Sequence, residues 1–238
     1  MCTVNFEGIE SIQNLYDTNF ESWINHPRAT VRSAYLRLLG DVNGKYILDA
    51  GCGCGIDCLE LSKRGAIGYG IDVSAVSIEQ SRKLFGDNSS WMFNCCYIMS
   101  FKPEVLFDVV LCSMVVMHHK NLSATLRNLS SFLKPGGQLL LVTNNPYLVC
   151  QDFHVEYPQD ESVCYQHCFS DNGKMIQMTK YLHSISSYIN GGLPELSVVY
   201  MQEIALYNDE TKFFNPIPHP GTPNFISFLY RKNVVMGK

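Results

Sequence analysis

From Lys45 to Thr143 the chain alternates short apolar segments with amphipathic ones, and this alternation restricts the fold more than any other feature. "KYILDA", "AIGYGIDV", "WMFNCCY", "FDVVLCSMV" and "QLLLVT" read as strands. The last two are almost wholly apolar, as strands covered on both faces must be. Between them "IDCLELSKR", "AVSIEQSRKLF" and "SATLRNLSSFL" carry helical spacing. Gly65 stands where the first helix needs a left-handed C′ residue, and Ser74 where the second needs an N-cap. Lys134-Pro135-Gly136-Gly137 ends the third. Strands alternating with helices are joined by right-handed crossovers, which predicts an α/β fold: a parallel sheet with helices on both faces. Ligands of such sheets bind at the carboxyl ends of the strands.

The segment "ILDAGCGCG", residues 47–55, closes the first strand with an acid and three spaced glycines. Glycine loses the most backbone freedom on folding, so Gly51, Gly53 and Gly55 together predict a ligand that approaches the main chain. A dinucleotide fits poorly. The spacing is GxGxG, Ile56 stands where the dinucleotide fingerprint wants its third glycine, and Asp49 would repel a pyrophosphate while attracting a cation. Asp72 ends the second strand about twenty residues after the loop, where a carboxylate accepts hydrogen bonds from ribose hydroxyls. Asp49, GxGxG and Asp72 together predict a nucleoside carrying positive charge. S-adenosylmethionine, with an ammonium, a sulfonium and no phosphate, meets that description, and a nicotinamide-dependent oxidoreductase is disfavoured.

A length of 238 residues suffices for one large domain with an inserted lid. The formal charge of −4 and the lack of a basic stripe argue against a sequence-independent nucleic-acid partner. "MCTVNFEGIE" has no basic region followed by an apolar stretch, and the longest apolar run, residues 109–117, is too short to span a bilayer. No secretory signal or membrane contact is therefore expected. Ten irregularly spaced cysteines are expected to remain thiols, in a cytoplasmic setting. Cys164, His167 and Cys168 have a zinc-like look. In a strand, however, the two cysteines face opposite to the histidine, so no metal site is expected.

After Thr143 the pattern changes. Residues 145–182 show no helix period and hold a hairpin around Asp171-Asn172-Gly173. "SISSYINGGL" then reads as a helix, and "LSVVYMQEIAL" and "NFISFLYR" as closing strands. The expected organisation is a helical N-terminal cap over 1–43, with Tyr16, Phe20 and Trp23 on its inner face. A core over 44–144, an inserted lid over 145–182 and a closing region over 183–238 complete it. Tyr147, Tyr157 and Tyr165 either line an aromatic substrate pocket or form the lid's own small core.

"ILDAGCGCG", "GIDVS", "FDVVLCSMVVMHH" and "LKPGGQLLLV", in that order, resemble the successive motifs of the class I S-adenosylmethionine-dependent methyltransferases over about residues 45–145. The resemblance implies a Rossmann-like, doubly wound, mostly parallel seven-stranded sheet, with S-adenosyl-L-methionine as cofactor. It implies that Asp49, Gly51 and Gly53 surround the methionine part, that Asp72 binds the ribose and that Val73 packs on adenine. Ser113 and Met114 match positions near the reactive end, and Tyr16 in "LYD" resembles an N-terminal tyrosine that covers the methionine moiety. The family usually has an acid near the end of the third strand for the adenine amino group. Here Asn94, Cys95 and Cys96 stand instead. A thiol accepts hydrogen bonds poorly, so Asn94 or main-chain groups are expected to hold adenine.

The function implied is methyl transfer to an oxygen or nitrogen of a small molecule, since a closed aromatic and polar lid suits a small acceptor. His118 and His119 after the fourth strand, and His154 in the lid, are the candidate bases. Two other readings stand beside it. One is a methyltransferase acting on protein or RNA, against which the low basic content and the hairpin count. The other is an inactive nucleoside-binding accessory protein, kept open by the absent third-strand acid.

Overall fold

A computed structural model describes residues 13–14, 16–17, 29–87, 90–171, 174–205 and 222–234. Its strands, in chain order, are β1 (Tyr46–Ala50), β2 (Ile67–Asp72), β3 (Trp91–Cys95), β4 (Phe107–Ser113), β5 (Leu133–Asn144), β6 (Val163–Asp171), β7 (Lys174–Leu182), β8 (Leu196–Ala205) and β9 (Pro223–Lys232). Its longer helices are α1 (Ala29–Leu36), α2 (Ile56–Lys63), α3 (Ala75–Phe85), α4 (Leu122–Ser131), α5 (Pro146–Phe153) and α6 (Ile185–Asn190). Seven strands form one sheet in the order β3-β2-β1-β4-β5-β9-β8. The first five are parallel, while β9 runs antiparallel to both β5 and β8. The chain winds outward from β1 to β3 and then returns to place β4 on the other side of β1. This reversal opens a crevice at the carboxyl ends of β1 and β4.

Strand alternation divides the core into two layers. Ile47, Val109, Leu111, Leu140 and Val142 face one side, with Val31, Tyr35, Leu61 and Ile78 from α1, α2 and α3. Leu48, Val110, Cys112, Leu139 and Leu141 face the other, with Leu126, Leu129 and Tyr188 from α4 and α6. The helix signals act as expected. Gly65 has φ 81° just past α2. The Ser74 side chain accepts from Ser77 N at the start of α3.

Two segments differ from the sequence reading. Residues 145–182 do contain a helix: Asn145 caps α5 by accepting from Tyr147 N at 3.1 Å, and Pro146 occupies its first turn. An Asn-Pro pair is a helix start, because proline is pre-set for N1 and needs no N–H there. Lys134-Pro135-Gly136-Gly137 does not separate α4 from the next strand; β5 begins at Leu133 and runs through it. The irregular register between Phe107 and Val109 absorbs the departure.

β6 and β7 form a separate antiparallel hairpin in which Asp171 pairs with Lys174. It packs on the 3-10 turn Val116–His118 that follows β4. Asn172, Gly173, Phe20 and Trp23 lie outside the described residues. Among the described residues no helix is long and apolar enough to cross a membrane, and no group of His, Cys, Asp and Glu is arranged to hold a metal. Cys164 and Cys168 are exposed, whereas His167 between them turns inward to Lys180.

Candidate active site

The glycine loop leaves β1 at the crevice, and its three glycines have three different reasons to be glycine. Gly51 (φ +91°) lies against Val115, where an added Cβ would sit 2.1 Å from Cγ2. Gly55 (φ +76°) opens α2 beside Ser81. Only Gly53 (φ +52°) has no heavy atom within 4 Å of where a Cβ would stand. An added Cβ at Gly51 or Gly55 would thus meet Val115 or Ser81, and of the three glycines Gly53 alone has open space there.

Asp72 is tied to this loop. Its carboxylate accepts from Gly53 N and from Ser74 N, both at 2.9 Å. Burial raises its pKa, while these two N–H donors oppose the rise. Asp49 is 1% exposed and accepts from Cys58 Sγ at 3.2 Å. Burial first, and the charge of Asp57 second, push its pKa well above the carboxylate range. Asp72 pushes the same way and Arg32 opposes it. Asp57 binds the Arg32 guanidinium and the Tyr35 hydroxyl. Three carboxyl groups and one guanidinium therefore lie close together; Arg32 pairs with Asp57, and a bound cation would favour the ionised form of buried Asp49. Arg32, Tyr35 and Asp57 were not singled out in the sequence. Their partners are more than twenty residues apart and carry no local motif, so only packing reveals the cluster.

The far end of the crevice follows β2 and β3. Asp72 pairs with Cys95 in register, and Cys96 N donates to Asp72 O at 2.8 Å. Asn94 and Cys95 are exposed and Cys96 half-buried. The Cys95 thiol is directed to Val73 O at 3.4 Å. At the near end, Ser113 ends β4 and Met114 takes φ 61°, a left-handed conformation rare for a side chain of its size.

Tyr16 reaches this end from the N-terminal segment. Its hydroxyl lies 3.0 Å from His118 Nε2, with the two rings edge to face. Asp17 beside it accepts from Ser74 Oγ and from Val76 N, which pins the segment to the start of α3. Burial and the nearby charge of Lys180 lower the His118 pKa to about 3, so its imidazole is neutral. His118 Nδ1 is buried with no hydrogen-bond partner among the described residues.

The three candidate bases separate. His118 meets Tyr16 at the crevice. His119 packs: its ring stacks on Tyr97 at 5.5 Å, its carbonyl accepts from His183 Nε2 at 2.9 Å, and burial lowers its pKa to about 4. His154 is exposed in a left-handed conformation just past α5, at the helix C-cap. The tyrosines of residues 145–182 divide as well. Tyr165 is buried in a small separate core with Val149 and Leu182, against Phe153. Tyr147 and Tyr157 stack at 4.8 Å, and Tyr157 accepts from Ile185 N.

A doubly wound sheet with this strand order, a glycine loop after β1 and an acid at the end of β2 has the fold of the S-adenosylmethionine-dependent methyltransferases. The family model for the methyltransferase domain matches residues 23–198, well over half of the chain, and the chain belongs to that family. It is 34% identical over 112 residues to a ubiquinone biosynthesis O-methyltransferase of Bradyrhizobium diazoefficiens, covering 46% of this chain and 44% of that protein. It is 30% identical over 118 residues to the protein of that name from Coxiella burnetii, covering 48% and 50%. The matched stretch thus spans about half the length of these relatives. Among solved structures, the magnesium protoporphyrin IX methyltransferase of Synechocystis aligns with a TM-score of 0.64 at 15% identity, over 97% of this chain and all of that one. The N-methyltransferase NodS of Bradyrhizobium japonicum aligns with a TM-score of 0.64 at 15% identity, over 95% of this chain and 97% of that one.

Proposed function

We propose that this chain transfers the methyl group of S-adenosylmethionine to an oxygen of a small molecule. The observation that carries the reading is the open face of Gly53 beside Asp72, above buried carboxylates that favour a cation. Asp72 would accept from the ribose hydroxyls with the lone pairs left over from its two N–H contacts. Val73, Asn94, Cys95 and Cys96 border the expected place of adenine. Asp49, Gly51 and Gly53, with Arg32 at the edge, border that of the methionine part. Ser113, Met114, Tyr16 and His118 enclose the reactive end. When bound, the cofactor supplies a methyl group on a positively charged sulfur. The chain's own residues align the acceptor, exclude water with the lid and the Tyr16 segment, and hold His118 neutral beside the reacting oxygen. Alignment of two reactants contributes up to roughly 7–11 kcal/mol.

The oxygen acceptor is supported by the relatives named as O-methyltransferases. A small acceptor is supported by the hairpin that packs on the turn after β4. His119 and His154 are left out of the proposed chemistry, the first because it packs and the second because it is exposed. Calorimetric titration with S-adenosylhomocysteine tests the reading. Micromolar binding is expected, weakened about 30-fold or more by Asp72→Ala, since hydrogen bonds to a charged group are worth about 1.5–3 kcal/mol each. Binding that is absent, or indifferent to Asp72, would overturn it.

A further inference from the structure

We propose that a cavity at the amino ends of β1, β4 and β5 binds a doubly charged phosphate group, carried by a soluble phosphate ester or by a phospholipid headgroup. The cavity measures about 300 Å3, and its walls include Lys45, Asp108, Lys134, Gly136, Gln138 and Arg231. The candidate active site lies at the carboxyl ends of the same strands, and the seven residues of β4 put roughly 20 Å between the two. The cavity therefore stands apart from the cofactor and the acceptor, and the proposal does not depend on the methyl-transfer reading.

Strand register gathers the cations. Lys45 immediately precedes β1, and Arg231 of β9 pairs with Gln138 of β5. By alternation, Lys45, Gln138 and Arg231 fall on the sheet face of Ile47, Leu140 and Leu229. β4 and β5 lie between β1 and β9, so the backbones of Lys45 and Arg231 stand about 14 Å apart, a gap that two long side chains can close around one ligand. Lys134 comes from a bulge. Phe107 pairs with Leu133 and Val109 with Gln138, so the four residues 134–137 stand opposite Asp108 alone. Pro135 and Gly136 suit the centre of a type II turn, and Gly136 has φ +73°. An added Cβ at Gly136 meets nothing within 4 Å, whereas one at Gly137 would stand 2.9 Å from Lys134 O. The bulge thus packs through Gly137 and turns the open main chain of Gly136 to the cavity.

The charge balance selects the ligand. Three of the lining side chains are cationic and one is acidic. The acid is already engaged at both oxygens: Asp108 accepts from Lys134 Nζ at 2.8 Å and from Tyr46 N at 2.9 Å. Burial opposes its ionisation, but these hydrogen bonds, then the charges of Lys134 and Lys45, hold its pKa below the ordinary value. The side chains of Lys45 and Arg231 enter no hydrogen bond or ion pair among the described residues. With Lys134 paired to Asp108, two positive charges are left, in a chain whose formal charge is −4. Two cations match a dianionic phosphate better than a carboxylate. The guanidinium offers a planar fork of donors to phosphate oxygens, and the ammonium a movable point charge.

The probe is inorganic pyrophosphate in magnesium-free buffer, titrated by calorimetry. Saturable binding is expected. Arg231→Gln and Lys45→Gln should each weaken it about fivefold or more, the scale of one charge-assisted contact. Lys83→Gln removes the same charge from an exposed site on α3 and should leave binding unchanged. Gly136→Asp sets a carboxylate in the cavity, at a backbone conformation that aspartate tolerates, and should abolish binding. Absent pyrophosphate binding, or equal weakening by Lys83→Gln, overturns the site. Cosedimentation with phosphatidic acid vesicles, against phosphatidylcholine vesicles, distinguishes the sources. Capture on the first alone, lost in Arg231→Gln, assigns a lipid headgroup. Capture on neither, with pyrophosphate bound, assigns a soluble phosphate ester.

Discussion

Substituting two glycines of one loop separates folding from binding. At Gly51 an alanine Cβ would stand 2.1 Å from Val115 Cγ2, at φ +91°. Overpacking costs about 1–3 kcal/mol and left-handed backbone about 1–2 more, so Gly51→Ala is expected to lose roughly 2–5 kcal/mol of stability. Val115→Ala would remove the clash, and the double variant should recover about half of that loss, because only the strain remains. Gly53→Ala meets no atom within 4 Å, and φ +52° lies within the left-handed basin. Its strain of about 1 kcal/mol is offset by reduced freedom of the unfolded chain, leaving a net change of under about 1 kcal/mol. Its methyl would instead occupy space in front of the loop and weaken S-adenosylhomocysteine at least about tenfold, or 1.4 kcal/mol. Urea denaturation gives the first quantity and calorimetry the second. A Gly53→Ala protein that binds as tightly as wild type would refute the assignment of Gly53 to the ligand. A Gly51→Ala protein of unchanged stability would refute the packing argument.

Cys95 is exposed beside Val73, and partial burial, then the charge of Asp72, raise its thiol pKa. S-adenosylhomocysteine is expected to slow its alkylation by a maleimide, with exposed Cys164 and Cys168 as unaffected internal controls, read by peptide mass. Equal protection of all three would remove Cys95 from the adenine side. His118 and His119 have folded-state pKa values of about 3 and 4, below the unfolded value. Between pH 4 and 6.5 the unfolded chain therefore binds more protons than the folded one, and stability is full above pH 6.5 and falls as pH drops. Each histidine contributes a slope of about 1.4 kcal/mol per pH unit in that window, and His118→Gln should flatten the urea-derived profile by about that amount. A profile unchanged in His118→Gln would show that His118 is not held neutral. Tyr16→Phe deletes the hydroxyl partner of His118 Nε2 and, if the segment serves as a cover, should weaken S-adenosylhomocysteine by a few-fold with little change in stability, about 1 kcal/mol for one neutral hydrogen bond. An unchanged affinity would limit Tyr16 to packing.

The sequence by itself determined the order of strands and helices, the α3 cap at Ser74, the α2 terminus at Gly65 and the hairpin with its alternating faces. All of these rest on local spacing, with period 2 or 3.6 and a residue suited to one turn geometry. It also determined that Asp49, Gly51, Gly53 and Asp72 belong to one neighbourhood, because β1 and β2 are adjacent parallel strands whose carboxyl ends meet. It misread α5, whose start signal is the Asn-Pro pair within a segment otherwise rich in tyrosine and cysteine. Only the tertiary structure decided which glycine faces open space, since Val115 and Ser81 arrive from other strands and helices. The same holds for the Arg32–Tyr35–Asp57 cluster and the meeting of Tyr16 with His118 across 102 residues of chain. It also separates His118, His119 and His154, which look alike in sequence, into a neutral imidazole at the crevice, a packed ring and an exposed cap. Backbone geometry and periodicity are written along the chain, whereas the desolvation and charge that set a side chain's chemistry are fixed by neighbours distant in sequence.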